Sequence, residues 1–426
     1  MDKFFLLVEV LGYLFALYLF FKKEELAIIY IPVLVFINNF IDPAFSAFIY
    51  YSTISFLIVN SIAKNQSFYK KNIFAVLLFL YFLVLLTRSS DLVAIRSNAF
   101  AVFWLLASIP LIPAIYQKYP EEEIFHEVSN AAFIILCLFI ANVLMSTVNH
   151  YAPTGMYGIS SGILYGNLYA AGFNILAVAM FLTVMKLLMS KKPIYFLVVI
   201  VAYFFIMLSL RRTVMLVSTL GIIIPMLTLL AGREMKKFIL VGSLIAFVGY
   251  MVYSDTDFMN EFNERYEQRH LDTRELGSES RFLEYQLLYN DMFVYNVYSP
   301  WIGYELLNSA GNYGNGIFGL RTLHGDLPSI THSGGLIALL LYLLMAIKAF
   351  RSSLKATATA TDKFVVLFCA IAFTVFTVTG RFTECGAMIL LYLTLQLPLS
   401  IKEEEIEIIA IVEEEKPLQQ FAWINN

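Results

Sequence analysis

The stretch SGGLIALLLYLLMAIKAF (333–350) decides the class of this protein, because it is a nearly uninterrupted apolar run that ends beside Lys348. An α-helix needs about 20 mainly apolar residues to cross the hydrocarbon core of a bilayer. Runs of this kind recur along the 426-residue chain and predict thirteen membrane-spanning helices. The predicted spans are 4–21, 25–41, 44–63, 72–87, 98–116, 131–148, 167–189, 193–210, 213–231, 237–253, 333–350, 364–380 and 384–400. The second and third runs are short and adjacent, and one re-entrant hairpin there would change the count and the side of the N-terminus.

The composition supports the same class. Hydrophobic residues make up 59% of the chain and charged residues only 14%, against about 45–50% and about 25% in soluble domains. This excludes an ordinary soluble enzyme, a secreted disulfide scaffold and a disordered chain. The formal charge of −3 provides no basic field for nucleic acid. We therefore predict an all-α polytopic membrane protein with about 12–13 transmembrane helices.

The lysines predict the orientation of these helices. With thirteen spans, sixteen of the seventeen lysines fall on one side, which the positive-inside rule makes cytoplasmic. The resulting organisation has transmembrane helices 1–10 in residues 1–253 and helices 11–13 in residues 333–400. Between them, residues 254–332 form one long, mainly helical loop on the outer side, and residues 401–426 form a cytoplasmic tail. A structureless loop of this length is uncommon unless it is functional.

The arginines follow a different distribution from the lysines. Ten of the twelve fall on the outer side, where the topology rule would deplete both residues. Retention of arginine where lysine is avoided suggests a need for its planar, always-charged fork, which binds phosphate or carboxylate bidentately. For most loop arginines, pairing with the acids of the loop is the simpler explanation. Arg211 and Arg212 have no acid nearby in sequence, so we expect an anion ligand for at least one of them, the alternative being an interaction with lipid headgroups.

His324 stands on the outer side just before a predicted span, with Asp326 two residues further on. A neutral imidazole beside a carboxylate is well suited to accept a proton near neutral pH. The alternative is an interfacial or helix-capping histidine. We predict neither a metal nor a cofactor for this site.

Three segments together resemble the superfamily of bacterial O-antigen polymerases and O-antigen ligases. LSLRRTVML (208–216) resembles the Ser-x-Ser-Arg-small pattern at the start of a span, with Arg212 the better match and Arg211 the second. ESRFLEYQLLYNDMFVYNVYSPWIGYE (279–305) resembles a loop pattern in which an arginine, here Arg281, opens a helix and a Pro-x-x-Gly segment follows.

The third segment, LHGDLPSITHSGGLIALLLYL (323–343), resembles the family pattern that leads from a histidine into a span. His324 and Gly335 have the expected separation, whereas Gly325 and Ala338 depart from the pattern. The resemblance covers residues from about 165 to 400, and the N-terminal third matches only as a set of spans.

The resemblance implies a membrane glycosyltransferase of the bacterial inner membrane whose active site faces the periplasm. The implied donor is an undecaprenyl-diphosphate-linked oligosaccharide, and the acceptor is a hydroxyl of a glycan or glycolipid. His324 would be the general base, Asp326 would orient it, and Arg211, Arg212 and Arg281 would bind the diphosphate. Membrane lipids and a chain-length regulator protein are the other implied partners, and nucleic acid is not one. Polymerisation of O-antigen or capsular repeat units is the favoured reaction. An O-antigen ligase acting on lipid A-core and a transporter of glycolipids or anions are the alternatives.

Overall fold

The computed structural model describes residues 2–151, 166, 172–209, 211–229 and 280–402. Within these ranges the chain forms α-helices joined by short turns, and it contains no β-strand. The α-helices are α1 (Asp2–Tyr18), α2 (Ile31–Phe40), α3 (Ala47–Lys64), α4 (Ile73–Leu86), α5 (Leu92–Tyr116), α6 (Glu121–Val148), α7 (Asn174–Ser190), α8 (Pro193–Leu208), α9 (Arg212–Leu229), α10 (Ser280–Tyr289), α11 (Asp326–Ala356), α12 (Ala360–Thr379) and α13 (Cys385–Leu395). Shorter π- and 3₁₀-helical segments are Leu19–Lys23, Glu24–Tyr30, Phe68–Lys70, Asn290–Val294, Gly314–Gly316 and Leu397–Leu399.

The helices have the length and composition of membrane spans. Among the residues that the structure describes, seven helical segments are long and apolar enough to cross a bilayer, and four shorter apolar helices accompany them. The chain is thus an all-α polytopic membrane protein. Every predicted span in the described ranges coincides with a helix, and the span predicted at 237–253 lies outside them. Residues 254–279 of the predicted outer loop and residues 403–426 of the predicted tail also lie outside the described residues.

The first apolar segment, Asp2–Asn39, reverses direction near Glu24, whose φ is 50°. The reversal packs α1 against α2, since a Cβ atom on Gly12 would lie 3.4 Å from the Ile37 side chain. Just after α2, the Ala44 N–H donates a hydrogen bond to the Glu9 carboxylate of α1 at 2.8 Å. The segment 24–40 then runs beside α3, since the Asn65 side chain donates to Glu25 at 2.6 Å. With its 3₁₀ and α parts, this segment is about 30 Å long, the thickness of a hydrocarbon core. Its geometry favours a crossing segment over a shallow re-entrant loop.

Several lysines gather at one end of the bundle, where they pair with acids from neighbouring helices. These pairs are Lys23–Glu127, Lys64–Glu24, Lys118–Glu25 and Lys402–Glu121. The length of helix α12 gives the distance from this end of the bundle to the opposite end. Its start contacts Lys402 through Asp362, and the glycine that follows it, Gly380, lies against His324. Twenty residues of α-helix span about 30 Å, so His324 lies at the end opposite to these lysines.

Helix α11 is broken at the glycine pair that follows His332. Gly334 has φ −139° and ψ 15°, and Gly335 has φ 66° and ψ −164°, a conformation that is essentially restricted to glycine. A Cβ atom on Gly335 would lie 2.2 Å from the carbonyl carbon of Trp301. The break therefore lets the loop that precedes α11 approach the helix axis.

The loop also satisfies the backbone groups that the break exposes. The Leu336 N–H donates to the Pro300 carbonyl at 2.8 Å, and the Tyr304 N–H donates to the His332 carbonyl at 2.7 Å. Unsatisfied backbone groups are costly in apolar surroundings, so these contacts fix the loop to the helix. Pro300 is a residue of the Pro-x-x-Gly segment noted in the sequence, and its role here is structural.

Substitution of Gly335 by alanine tests this arrangement. Gly319→Ala is the matched control, because Gly319 also has a positive φ, 58°, but nothing lies within 4 Å of a Cβ atom there. The Gly319→Ala control should lower the unfolding free energy by about 1–2 kcal/mol, the penalty for an alanine in the left-handed backbone conformation. Gly335→Ala should lower the thermal unfolding midpoint in detergent by clearly more, because the Trp301 backbone must move. Equal shifts for the two variants would contradict the close approach.

Candidate functional site

Glu284 and His324 meet at the end of the bundle opposite to the lysine pairs, although forty residues separate them in sequence. The Glu284 side chain, on α10, is only 1% exposed. Its Oε2 atom accepts from the His324 backbone N–H at 2.9 Å, and its Oε1 atom lies 3.1 Å from His324 Nδ1. The His324 side chain is 38% exposed, so the imidazole extends from a buried carboxylate toward the surface.

Arg321 completes this group. Its terminal nitrogen donates to Glu284 Oε1 at 2.8 Å, its Nε lies 3.1 Å from His324 Nδ1, and its guanidinium carbon is 5.1 Å from the centre of the Phe318 ring. The two contacts of Nδ1 correspond to two neutral tautomers of His324. With the proton on Nδ1, the ring donates to Glu284 and Nε2 is a free acceptor. With the proton on Nε2, Nδ1 accepts from Arg321.

Glu284 carries a negative charge at neutral pH. Burial raises the pKa of Glu284, but hydrogen bonds from the side chain and backbone of His324, together with the charge of Arg321, outweigh burial and leave the pKa below its ordinary value. A buried carboxylate in contact with an imidazole both orients the ring and stabilises its protonated form. The arrangement is therefore chemically suited to accept a proton at His324.

Asp326 does not have the expected orienting role. Its carboxylate is buried beside the turn between α12 and α13, where Oδ1 accepts from the Phe382 N–H at 2.8 Å and Oδ2 lies 3.4 Å from the Tyr342 hydroxyl. The carboxylate that contacts the His324 ring is Glu284. Asp326 instead ties the start of α11 to the α12–α13 turn. Gly380 of the same turn packs so closely that a Cβ atom would lie 1.8 Å from the His324 carbonyl oxygen.

A second polar cluster lies on this turn. Arg381 donates to Glu384, three residues further on, at 2.6 Å. The other oxygen of Glu384 accepts from the Asn174 side chain at 2.7 Å. Arg211 lies within electrostatic range of the Glu384 carboxylate, and its guanidinium carbon is 4.3 Å from the centre of the Phe173 ring. A phosphate near this cluster would meet two arginines held by neighbouring helix ends.

The two adjacent arginines that the sequence offered as diphosphate ligands occupy different surroundings. Arg211 precedes α9 and is partly buried, whereas Arg212 is the first residue of α9 and is exposed. Arg281 lies in the first turn of α10, one turn before Glu284. Its side chain lies outside the described part of the structure, so diphosphate binding by Arg281 stays a prediction.

His332 is a structural residue of the loop. It is fully buried, its Nε2 atom lies 3.0 Å from the Asn312 carbonyl oxygen, and its ring packs edge-on against Tyr298 with 5.3 Å between centroids. A histidine in this position cannot reach a substrate without unpacking the loop. The choice of His324 over His332 as the candidate base therefore agrees with the exposure of the two rings.

Sequence reasoning missed Glu284 and Arg321 as partners of His324. A signal was present, because Glu284 lies three residues after Arg281 and Arg321 lies three residues before His324. Residues at this spacing share one face of a helix or turn. The loop arginines were expected to pair with loop acids, and the Arg321–Glu284 ion pair is one such case.

By its fold, this protein belongs to the class of polytopic α-helical membrane proteins. No protein-family model matches the chain, and no curated protein matches it.

The lowered pKa of Glu284 predicts a pH-dependent contribution to stability. A carboxyl whose pKa is lower in the folded state stabilises the fold above its unfolded pKa, and this contribution is lost as the pH falls through the folded pKa. Glu284→Gln should reduce the unfolding free energy at pH 7 by about 1.5–3 kcal/mol, the range for hydrogen bonds to charged groups. The difference in unfolding free energy between Glu284→Gln and the wild type should become smaller below about pH 4.

Thermal unfolding in detergent at several pH values measures this difference between the variant and the wild type. Glu305→Gln is the control, because the Glu305 carboxylate accepts only from the uncharged side chains of Ser90 and Asn308. At pH 7, Glu305→Gln should lower the unfolding free energy by less than Glu284→Gln does. If Glu284→Gln lowered the unfolding free energy at pH 7 as little as Glu305→Gln does, the result would contradict a buried, charged Glu284.

Proposed function

We propose that this protein is a membrane glycosyltransferase that moves a glycan from a lipid diphosphate to an acceptor hydroxyl. The observation that carries the proposal is the exposed His324 imidazole on the buried Glu284 carboxylate. Lipid-diphosphate glycosyl transfer needs a base at the membrane surface, and the order of arginine and histidine motifs resembles enzymes of that chemistry. Undecaprenyl diphosphate is the proposed lipid. Polymerisation of O-antigen or capsular repeat units at the periplasmic face of the bacterial inner membrane is the proposed reaction.

In the proposed step, His324 carries its proton on Nδ1 and donates a hydrogen bond from this N–H to Glu284. The free Nε2 then accepts the proton of the acceptor hydroxyl while the acceptor oxygen bonds to the anomeric carbon of the donor. The bond from that carbon to the diphosphate oxygen breaks, and its electron pair leaves with the lipid diphosphate. The imidazolium that forms is stabilised by Glu284. In this mechanism Asp326 positions the loop and takes no part in proton transfer.

The leaving group gains negative charge as the anomeric bond breaks. Fixed guanidinium groups can stabilise that charge, because they are preorganised and stay protonated at any physiological pH. Arg211, Arg212 and Arg281 are the proposed ligands of the diphosphate. The partly buried Arg211, beside Glu384 and stacked on Phe173, is better supported by its surroundings than Arg212, although Arg212 is the better match to the motif.

Removal of the base tests the proposal. His324→Ala should reduce transfer by about 10²–10⁴-fold, the usual effect of losing a general base, while donor binding persists. Glu284→Gln should lower kcat with little change in KM, because it removes the charge that supports the imidazolium. The assay follows release of free lipid diphosphate by purified protein that is given the host's own lipid-linked repeat unit.

His332→Ala is the matched control, since it removes a buried histidine that lies on α11, eight residues after His324. Its unfolding midpoint should fall, but the folded fraction should keep turning over. Wild-type turnover in His324→Ala, combined with loss of turnover in folded His332→Ala, would mean that the wrong histidine has been assigned. Wild-type turnover in both variants would exclude base catalysis by histidine.

Replacement of arginine by lysine tests how the diphosphate is bound. Arg281→Lys and Arg211→Lys should lose most of the transfer activity, because a lysine ammonium cannot reproduce the bidentate fork of arginine. Donor binding and turnover are both measured, and Arg88→Lys, on the turn between α4 and α5, is the control. Near-normal activity of Arg281→Lys would favour a general electrostatic attraction over bidentate binding.

A further inference from the structure

A cavity of about 220 Å³ opens among the N-terminal helices, directly beside the α12–α13 turn. Its wall includes Asn38 and Asn39 at the end of α2, Asn98 on α5 and Glu384 on the turn. The sequence motifs gave this region no role. The same turn supports His324 through Gly380 and Asp326 through Phe382, so the cavity shares one structural wall with the candidate catalytic group.

The amides of this cavity are available to a ligand. Within the described part of the chain, the side chains of Asn38, Asn39 and Asn98 make no hydrogen bond, and none of them is fully buried. An asparagine side chain has two donors and an acceptor with two lone pairs. Three such side chains around one cavity can serve several hydroxyl groups, each of which both donates and accepts.

Aromatic rings form the inner wall. Tyr50 and Trp104 both line the cavity and pack edge-on, with 5.6 Å between ring centroids. The Trp104 indole N–H donates to the Ser55 hydroxyl at 3.0 Å, which fixes the ring. Small-molecule sites typically combine such aromatic walls with a few placed polar groups. Sites for drug-sized ligands measure about 300–1,000 Å³, so this cavity suits a smaller ligand, such as one sugar ring.

The described lining of the cavity favours an uncharged ligand over an anion. Among the described residues that line it there is no lysine or arginine, and the one acid is Glu384. Both oxygens of Glu384 already accept hydrogen bonds, one from Arg381 and one from Asn174. The nearby arginine Arg381 is thus engaged by Glu384, and a phosphate inside the cavity would meet no lysine or arginine of the described lining. Uncharged hydroxyl groups fit the amides and rings better.

We propose that this cavity binds one uncharged sugar ring of the acceptor glycan. The inference rests on the proposed glycosyl transfer and assigns its acceptor subsite to the N-terminal helices. The donor diphosphate, bound by the arginines, and the acceptor sugar, bound by the amides, would then both lie beside the α12–α13 turn. The ring would hold the acceptor chain so that its reacting hydroxyl extends toward His324.

Tryptophan fluorescence can test the subsite, because Trp104 lines the cavity whereas Trp301 lies in the loop that contacts α11. The probe is the lipid-free, phosphate-free oligosaccharide released by mild acid from the host's own surface polysaccharide. Its addition to the purified protein should change the fluorescence. The change should disappear in Trp104→Phe and persist in Trp301→Phe. Inorganic pyrophosphate should neither cause the change nor displace the oligosaccharide.

Asn98→Ala should weaken oligosaccharide binding about tenfold, the effect of losing one or two hydrogen bonds. It should raise the KM for the acceptor by a similar factor while kcat is kept. Alanine at this helical position favours the helix. Asn149→Ala is the control, because its amide donates to the Met145 carbonyl at 2.7 Å outside the cavity, and it should bind as the wild type does.

The outcomes separate the subsite from the proposed function. Wild-type transfer with an unchanged acceptor KM in Asn98→Ala would overturn the subsite alone. A fluorescence change that follows Trp301, or no change in the wild type, would also overturn it. Oligosaccharide binding at Trp104 without any release of lipid diphosphate would overturn the proposed function and, with it, the acceptor assignment.

Discussion

The contact between the Glu284 carboxylate and the backbone and ring of His324 connects α10 to the start of α11. A buried carboxylate is costly unless charged and polar groups surround it, and here Arg321 and His324 provide them. The same three residues therefore hold the loop in place and leave a partly exposed imidazole at this end of the helix bundle. Stability and proposed catalysis depend on one carboxylate, so its loss should affect both.

Two features of the helices keep this contact in place. The break at Gly334–Gly335 lets the preceding loop lie against α11 and exchange backbone hydrogen bonds with it. On the other side, the α12–α13 turn packs on His324 through Gly380 and binds Asp326 through Phe382. The turn also carries Arg381 and Glu384, near Arg211. An imidazole, a group of arginines and a cavity lined by amides thus lie around one turn, and the proposed transfer would take place there.

The helices could be predicted from the sequence because each is a long apolar run, and hydropathy alone identifies such runs. The Arg381–Glu384 pair could also be predicted, since three residues separate its members. The partner of His324 could not, because Glu284 is forty residues away and only the folding of the loop brings the two together. Asp326 is much closer in sequence, but its carboxylate is turned toward Phe382. The motif favours Arg212 over Arg211, whereas the contacts with Phe173 and Glu384 favour Arg211, and these surroundings could not be predicted from the sequence.

The central claim is that this protein breaks the bond between a glycan and a lipid diphosphate by using His324 as the base. The most direct measurement gives the purified protein in detergent a lipid-diphosphate-linked glycan and an acceptor glycan, and counts products. The account predicts one free lipid diphosphate for each new glycosidic bond, with both products lost in His324→Ala. An intact donor that binds without being cleaved, or that crosses a vesicle membrane unchanged, would contradict the account and indicate a transporter.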